Sequence, residues 1–144
     1  MKNHKNRKGF TIAELMAVII IIGLLSAMVV TNFVGMTDKA RVTTTKVSLK
    51  KLHNQVNQFK LDTARFPTED EGLNALLEQP TDVSGYQPGG YLETTEIPQD
   101  AWKHDFIYQR YPESGKPFVV ISYGADGEPG GEDNNADLYS TDAD

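Results

Sequence analysis

The sequence predicts an α+β fold, in which one long N-terminal α-helix packs on a small antiparallel sheet near the C-terminus. Three features indicate this fold. An apolar block over residues 10–34 continues into an amphipathic helical pattern, two β-prone segments separated by a turn follow, and the final segment is rich in glycine and acidic residues. With 144 residues, of which 39% are hydrophobic, the chain can form one modest domain.

The N-terminus joins a basic leader to the apolar block. Residues 1–9 hold four basic and no acidic side chains, and Glu14 is the single charged residue between Lys8 and Asp38. A helix over residues 10–34 rises about 1.5 Å per residue, which comes close to the thickness of a bilayer's hydrocarbon core. Because positive flanks stay in the cytoplasm, this pattern predicts one membrane crossing with residues 35–144 outside. Charge and hydropathy alone favour an uncleaved signal anchor, since no small-x-small cleavage site follows the block.

The charge of Glu14 must be stabilised if this residue lies in a membrane-spanning helix, because an ionised side chain in hydrocarbon costs roughly 2.5 to 3.5 kcal/mol by insertion scales. One interpretation is a first-turn carboxylate stabilised by the helix dipole. The other is a charge kept for pairing with a cation inside the membrane. Cleavage before Phe10 would create such a cation, since the new α-amino group lies four residues from Glu14. An ion pair between subunits would then set the register of stacked helices.

The helix is predicted to continue beyond the apolar block. Apolar residues recur there at spacings of three, four and three, which indicates a core-facing stripe of Leu49, Leu52, Val56 and Phe59. The helix should end near Arg65, because Pro67 disfavours helical geometry at Phe66.

A short second helix and a loop follow. Thr68 and Glu71 have the spacing of a capping box, and the leucines after them predict a short helix. Residues 81–98 are predicted to form a loop, because glycine and proline residues recur along them. Its aromatic residues, Tyr86 and Tyr91, should pin it to the domain.

Two β-prone segments predict a small antiparallel sheet packed on the amphipathic helix. They run from Asp105 to Tyr111 and from Lys116 to Tyr123, and residues 112–115 between them have the composition of a hairpin turn. No basic residue follows Lys116, and the segment from Gly124 onward carries seven acidic ones. Such a run must be disordered, solvated or neutralised by a cation.

Composition argues against several functions. There is no cysteine, so no disulfide can brace this small domain. The net charge is −6, and it would become −10 without residues 1–9, which argues against nucleic acid as a partner. His4, His53 and His104 stand in unrelated contexts, and no serine lies in a nucleophile elbow. The sequence therefore predicts no active site and no enzyme.

The segment from Tyr123 to Asn134 is a candidate metal site. Its glycines permit sharp turns that aim carboxylates and carbonyls at one point, and such hard oxygen ligands suit calcium. The spacing of an EF-hand is absent. A solvated acidic loop fits the composition about as well as a metal site, and the absence of disulfides tilts the balance slightly toward the metal.

The junction Lys8-Gly9-Phe10-Thr11-Ile12-Ala13-Glu14 resembles the class III signal of type IV pilins and pseudopilins. Three later stretches resemble major pseudopilins of type II secretion systems, namely Phe59 to Leu73, Pro98 to Trp102 and Gly124 to Gly130. The resemblance covers nearly the whole chain after the leader. It implies the pilin-like fold, a long helix carrying a small sheet with a calcium-binding loop.

The resemblance also implies a route of processing and assembly. A prepilin peptidase would cut between Gly9 and Phe10 and N-methylate Phe10, with Gly9 and Glu14 as recognition and assembly residues. Mature subunits anchored in the inner membrane would polymerise into a periplasmic pseudopilus with minor pseudopilins and inner-membrane secretion components. Within it, Glu14 would pair with the Phe10 amine of a neighbouring subunit. The filament would drive the export of folded proteins.

A calcium site is implied as well. Its side-chain ligands would be Asp126, Asp133 and Asn134, and its backbone carbonyls would come from Tyr123, Glu128 and Gly131. Two positions depart from the family. Thr31 stands where members usually have proline, so a break in the helix is not expected from this residue. Asn134 stands where members usually have a second aspartate. One fewer negative charge should weaken calcium affinity.

Two other functions stay open. A type IV pilin for adhesion, motility or DNA uptake shares the structural class, although many such pilins close a C-terminal loop with a disulfide and this chain has no cysteine. A monomeric, calcium-dependent binding module would use the apolar helix as a plain membrane anchor.

Overall fold

The computed structural model describes residues 9–142, without the side chains of residues 28–34. Residues 1–8 of the predicted leader and the last two residues of the tail therefore lie outside the description, as do the side chains at the end of the predicted membrane segment. The chain divides into two compact units after Thr37. A transmembrane segment is predicted over residues 10–34; among the described residues, no helix reaches both the length and the hydropathy of a membrane span.

The first element is helix α1, which spans Ile12–Thr63. The helix is not interrupted at position 31, where members of the family usually have proline. The predicted core-facing stripe is confirmed, since Leu49, Leu52, Val56 and Phe59 are at most 1% exposed. The helix ends two residues before the predicted position. Ala64 adopts a left-handed conformation with φ of 63°, which breaks the helix ahead of Pro67.

A capping box holds the turn that follows α1, as predicted. The Thr68 N–H donates to Glu71 Oε2 at 2.8 Å, and the Glu71 N–H donates to Thr68 Oγ1 at 3.3 Å. The short helix beyond it is a 3₁₀ helix, Gly72–Leu76, and it buries Leu73 and Leu76.

Arg65 ties the end of α1 to this turn. Its Nη1 donates to Glu71 Oε2 at 2.8 Å and its Nη2 to Glu71 Oε1 at 2.7 Å, a bidentate pair, and Nη2 also lies 2.7 Å from Asp82 Oδ1. The Arg65 and Glu71 side chains are 28% and 22% exposed. The hydrogen bonds from Arg65 lower the pKa of Glu71 to about 2.

The Arg65–Glu71 pair predicts an acid-sensitive contribution to stability. Because the folded-state pKa of Glu71 lies below the ordinary value of 4.5, the contribution is complete above about pH 4.5 and is lost as pH falls toward 2. We expect the Glu71→Gln variant to lack about 2 to 3 kcal/mol of unfolding free energy at pH 7 and to match the wild type near pH 2. Urea unfolding at both pH values measures this, with Glu69→Gln as control. An equal difference at both pH values would contradict it.

The sheet contains three antiparallel strands in the order β1-β2-β3. Strands β1 (Ile107–Arg110) and β2 (Phe118–Ser122) lie inside the two predicted segments. The hairpin turn between them is closed by the Gly115 N–H, which donates to the Pro112 carbonyl at 2.9 Å. Strand β3 (Leu138–Tyr139) was not predicted; it pairs with the end of β2 and orders part of the acidic tail.

The core lies between the stripe of α1 and the sheet. All five residues of central strand β2 are buried, and Phe118 and Val120 join the core cluster with the α1 stripe. The loop aromatics pin their segment as predicted, because Tyr91 lies 5.5 Å from the Phe59 ring and Tyr86 packs edge-on at 6.1 Å. The loop also needs glycine: a Cβ at Gly90 would lie 2.8 Å from the Leu76 carbonyl oxygen.

Candidate functional site

The N-terminal junction forms a second capping box, which the sequence analysis did not predict. The Thr11 N–H and hydroxyl both donate to Glu14 Oε2, at 2.8 and 3.0 Å, and the Glu14 N–H donates to Thr11 Oγ1 at 3.2 Å. Thr11 is therefore the N-cap of α1 and Glu14 its third helical residue. The T-x-x-E spacing was the available signal.

One of the two carboxylate oxygens of Glu14, Oε1, is available for a contact outside the capping box. Both bonds from Thr11 end on Oε2, while Oε1 accepts no hydrogen bond within the described residues. Local capping and an external ion pair are thus compatible, because each uses a different oxygen. The two interpretations of Glu14 become complementary.

The helix around Glu14 presents its apolar side chains outward. Phe10 is 86% exposed, and every large apolar residue from Leu15 to Leu25 is between 51% and 66% exposed. Uncovered apolar surfaces of this extent are typical of proteins that contact a membrane or another protein there.

The acidic loop between β2 and β3 folds back on itself. The Ala125 N–H donates to the Asn134 carbonyl at 2.9 Å, and Asp133–Asn135 form a one-turn 3₁₀ helix. Glycine permits the close approach: a Cβ at Gly124 would lie 2.9 Å from the Asn134 oxygen. The structure thereby brings the start of the predicted calcium loop next to its end.

The individual ligand candidates have defined environments. Asp126 Oδ1 accepts the Glu128 N–H at 3.1 Å, and Asp133 has a left-handed φ of 54° that aspartate tolerates better than most residues. Asn134 Nδ2 donates to Asp38 Oδ2 on α1 at 3.0 Å, so its carbonyl oxygen is left to act as an acceptor or ligand. An aspartate at position 134 would instead face Asp38 as a like charge.

The donor chemistry of the loop fits calcium. Within the described part of the chain, no three Asp, Glu, His or Cys side chains are grouped as a metal site. The implied set has two carboxylates, Asp126 and Asp133, and takes its other oxygens from Asn134 and the carbonyls of Tyr123, Glu128 and Gly131. Carboxylate, amide and carbonyl oxygens of this kind are the ligands that calcium prefers.

Asp100 braces the entrance of the acidic loop. Its side chain is fully buried: Oδ1 accepts the Trp102 and His104 N–H groups at 2.9 Å each, and Oδ2 accepts the Ser122 hydroxyl at 2.6 Å. His104 continues the network, since its Nδ1 lies 3.1 Å from the Gly124 carbonyl. No local sequence pattern indicates this role of Asp100, because its partners lie up to 22 residues away in the chain.

Comparison with known proteins first defines the class. The model of the prokaryotic N-terminal methylation motif matches residues 4–30, which include the Gly9–Phe10 junction and Glu14. Together with the long helix and small sheet, this match places the chain among proteins that carry the prokaryotic N-terminal methylation motif.

Further matches define the family. The model described as type II secretion system (T2SS), protein G matches residues 32–141. Type II secretion system core protein G of Vibrio cholerae is 36% identical, over 96% of this chain and 94% of that relative, and its counterpart in Escherichia coli K12 is 35% identical, over 93% and 92%. The crystal structure of the major pseudopilin from the type 2 secretion system of enterohaemorrhagic Escherichia coli aligns with a TM-score of 0.63 and 31% identity, over 75% of this chain and 92% of that chain. The chain belongs to the type II secretion system protein G family.

Proposed function

We propose that this chain is a major pseudopilin, a structural and non-catalytic subunit that polymerises into a periplasmic pseudopilus for the export of folded proteins. The observation that carries the proposal is the N-terminal junction: a methylation motif followed by a long, outward-facing apolar helix with one carboxylate in its first turn. Similarity to core protein G relatives along nearly the whole chain favours the secretion function over an adhesion or motility pilus and over a monomeric binding module.

The mature subunit would begin at Phe10. The basic leader holds the N-terminus in the cytoplasm, and the apolar surface of α1 lies in the inner membrane before assembly and against neighbouring helices afterwards. Cleavage between Gly9 and Phe10 creates an amine, which N-methylation leaves basic. Thr11 retains its bonds to Glu14 Oε2, and Oε1 receives the amine of a neighbouring Phe10.

Processing is tested by mass spectrometry of the full chain, purified from cells with and without a prepilin peptidase. We expect a chain that starts at methylated Phe10 in the first case and an intact Met1 in the second. A Gly9→Val variant should stay unprocessed. An intact Met1 in cells that contain an active peptidase would contradict the assignment.

Calcium is proposed as the brace of the acidic loop. Asp126, Asp133 and Asn134 would hold it with side-chain oxygens, and Tyr123, Glu128 and Gly131 with carbonyls. When bound, the ion neutralises the acidic loop and cross-links its two ends. The pairing of Ala125 with Asn134 supports the proposal, because it already holds those ends together.

Thermal unfolding with and without a chelator tests the calcium proposal. At calcium a hundredfold above its dissociation constant, the ion adds about 2.7 kcal/mol of stability. We therefore expect chelation to lower the melting temperature of the full chain in detergent by roughly 10 °C or more. Asp126→Ala should abolish this difference, whereas Glu128→Ala should retain it, since only the Glu128 carbonyl is a ligand. If calcium added back after chelation leaves the melting temperature unchanged, the proposal is wrong.

A further inference from the structure

The residue that directly follows strand β3 makes a polar contact with helix α1. Ser140, directly after β3, is 8% exposed, and its Oγ lies 3.0 Å from Nδ1 of His53 on α1. The His53 ring stacks on Phe118 of β2 with ring centroids 4.6 Å apart. The Ser140 N–H also donates to the Val120 carbonyl at 2.8 Å, which continues the pairing of β3 with β2.

Hydrogen-bond accounting indicates which atom holds the proton. The Val120 N–H donates to Ser140 Oγ at 3.0 Å, so the Ser140 hydroxyl hydrogen needs an acceptor of its own. His53 Nδ1 supplies that acceptor when the imidazole is neutral with its proton on Nε2. The three groups then form a one-way chain from Val120 through Ser140 to His53. Ser140 is thus a buried relay and not an exposed nucleophile.

The surroundings of His53 disfavour a positive charge. Lys50 from α1 and Lys116 from the β1–β2 turn line the groove beside it, together with Asn54, Asn57 and Thr141. None of the described acidic residues lines this groove, and Lys50 makes a further interaction of its own. The Phe118 face would attract a cation, but burial opposes it and lowers the pKa of His53.

We propose that His53 and Ser140 form a proton-sensitive clamp, in which protonation of the imidazole removes the acceptor of the Ser140 hydroxyl and loosens strand β3 from α1 and β2. A protonated Nδ1 can only donate, so the Ser140 hydroxyl hydrogen loses its acceptor in a buried site, even though Ser140 Oγ can accept a second hydrogen bond. Because β3 directly follows the acidic loop, the clamp also holds the C-terminal end of that loop. Mild acid would therefore release both together.

The test follows hydrogen exchange in a peptide covering residues 138–142 of the full chain in detergent micelles. In the wild type, the protection factor at pH 5.5 should be several-fold lower than at pH 7.5, because a His that is harder to protonate when folded loses stability as pH falls below 6.5. In His53→Gln, whose amide does not titrate, the ratio should be close to one. An equal ratio in the wild type and the variant would overturn the clamp.

Nuclear magnetic resonance of the His53 ring gives a second measurement, which begins with the wild type. The pH at which protection is lost in the wild type should coincide with the titration of His53 itself, below its ordinary value of 6.5. In Ser140→Ala, the His53 titration should move upward, since the neutral imidazole loses its donor. A His53 that titrates at or above 6.5 in the wild type, or a midpoint that follows another group, would overturn the proposal.

Discussion

Replacing Glu14 with glutamine is expected to leave cleavage of the leader intact and to reduce filament yield at least tenfold. Glutamine retains a carbonyl oxygen for the two bonds from Thr11, so the capping box survives, but the charge that would meet the neighbouring amine is lost. Breaking an ion pair that is buried between subunits is strongly destabilising, because the remaining charge is left unpaired. Glu14→Ala should impair assembly as strongly and should also remove the cap. Electron microscopy and sedimentation of filaments measure the effect.

Thr11→Val is the matched control. It removes the hydroxyl of the capping box and keeps the Glu14 charge, at a local cost of about 1 kcal/mol typical of a lost cap. We expect this variant to form filaments in nearly normal amount. If Glu14→Gln assembles normally while Thr11→Val and Glu14→Ala do not, the function of Glu14 is helix capping and the subunit ion pair is absent.

Replacing Asp100 with alanine is expected to produce the largest loss of stability among the acidic residues. Three donors around its buried carboxylate, the Trp102 and His104 N–H groups and the Ser122 hydroxyl, would lose their acceptor. Breaking a buried, charge-assisted network of this kind costs roughly 3 to 5 kcal/mol. For a unit of this size, that corresponds to a fall in melting temperature of about 15 °C or more.

The neighbouring Asp105 provides the comparison. Its carboxylate is exposed and accepts one bond, from Gln99 Nε2 at 2.9 Å, so Asp105→Ala should change stability by less than about 1 kcal/mol. Thermal unfolding of both variants, followed by near-ultraviolet circular dichroism, separates the two positions. Similar melting temperatures for Asp100→Ala and the wild type would show that the buried network contributes little.

The sequence predicted those elements of the fold that are determined by residues close together in the chain. The α1 stripe follows from helical periodicity, the β1–β2 hairpin from β-prone residues around a turn, and the turn at Thr68–Glu71 from the capping-box spacing. Each of these signals lies within a few residues of the chain. Their confirmation shows that tertiary contacts reinforce the local preferences here.

Features that depend on contacts between residues far apart in the sequence were not predicted. Strand β3 has two residues in an acidic tail, and it exists because Ile121 and Ser122 of β2 offer a free edge and Ser140 reaches His53. The importance of Asp100 likewise depends on Ser122, 22 residues away. The Thr11–Glu14 capping box is different, because its four-residue spacing is a local signal in the sequence.

Secretion by the native host tests the central claim most directly. With the gene deleted, exported proteins should accumulate folded in the periplasm and disappear from the culture medium. Plasmid-borne wild type and Thr11→Val should restore them to the medium, and Glu14→Gln should not. Undiminished secretion after deletion, or full restoration by Glu14→Gln, would contradict a pseudopilus built on the pairing of Glu14 with the processed N-terminus.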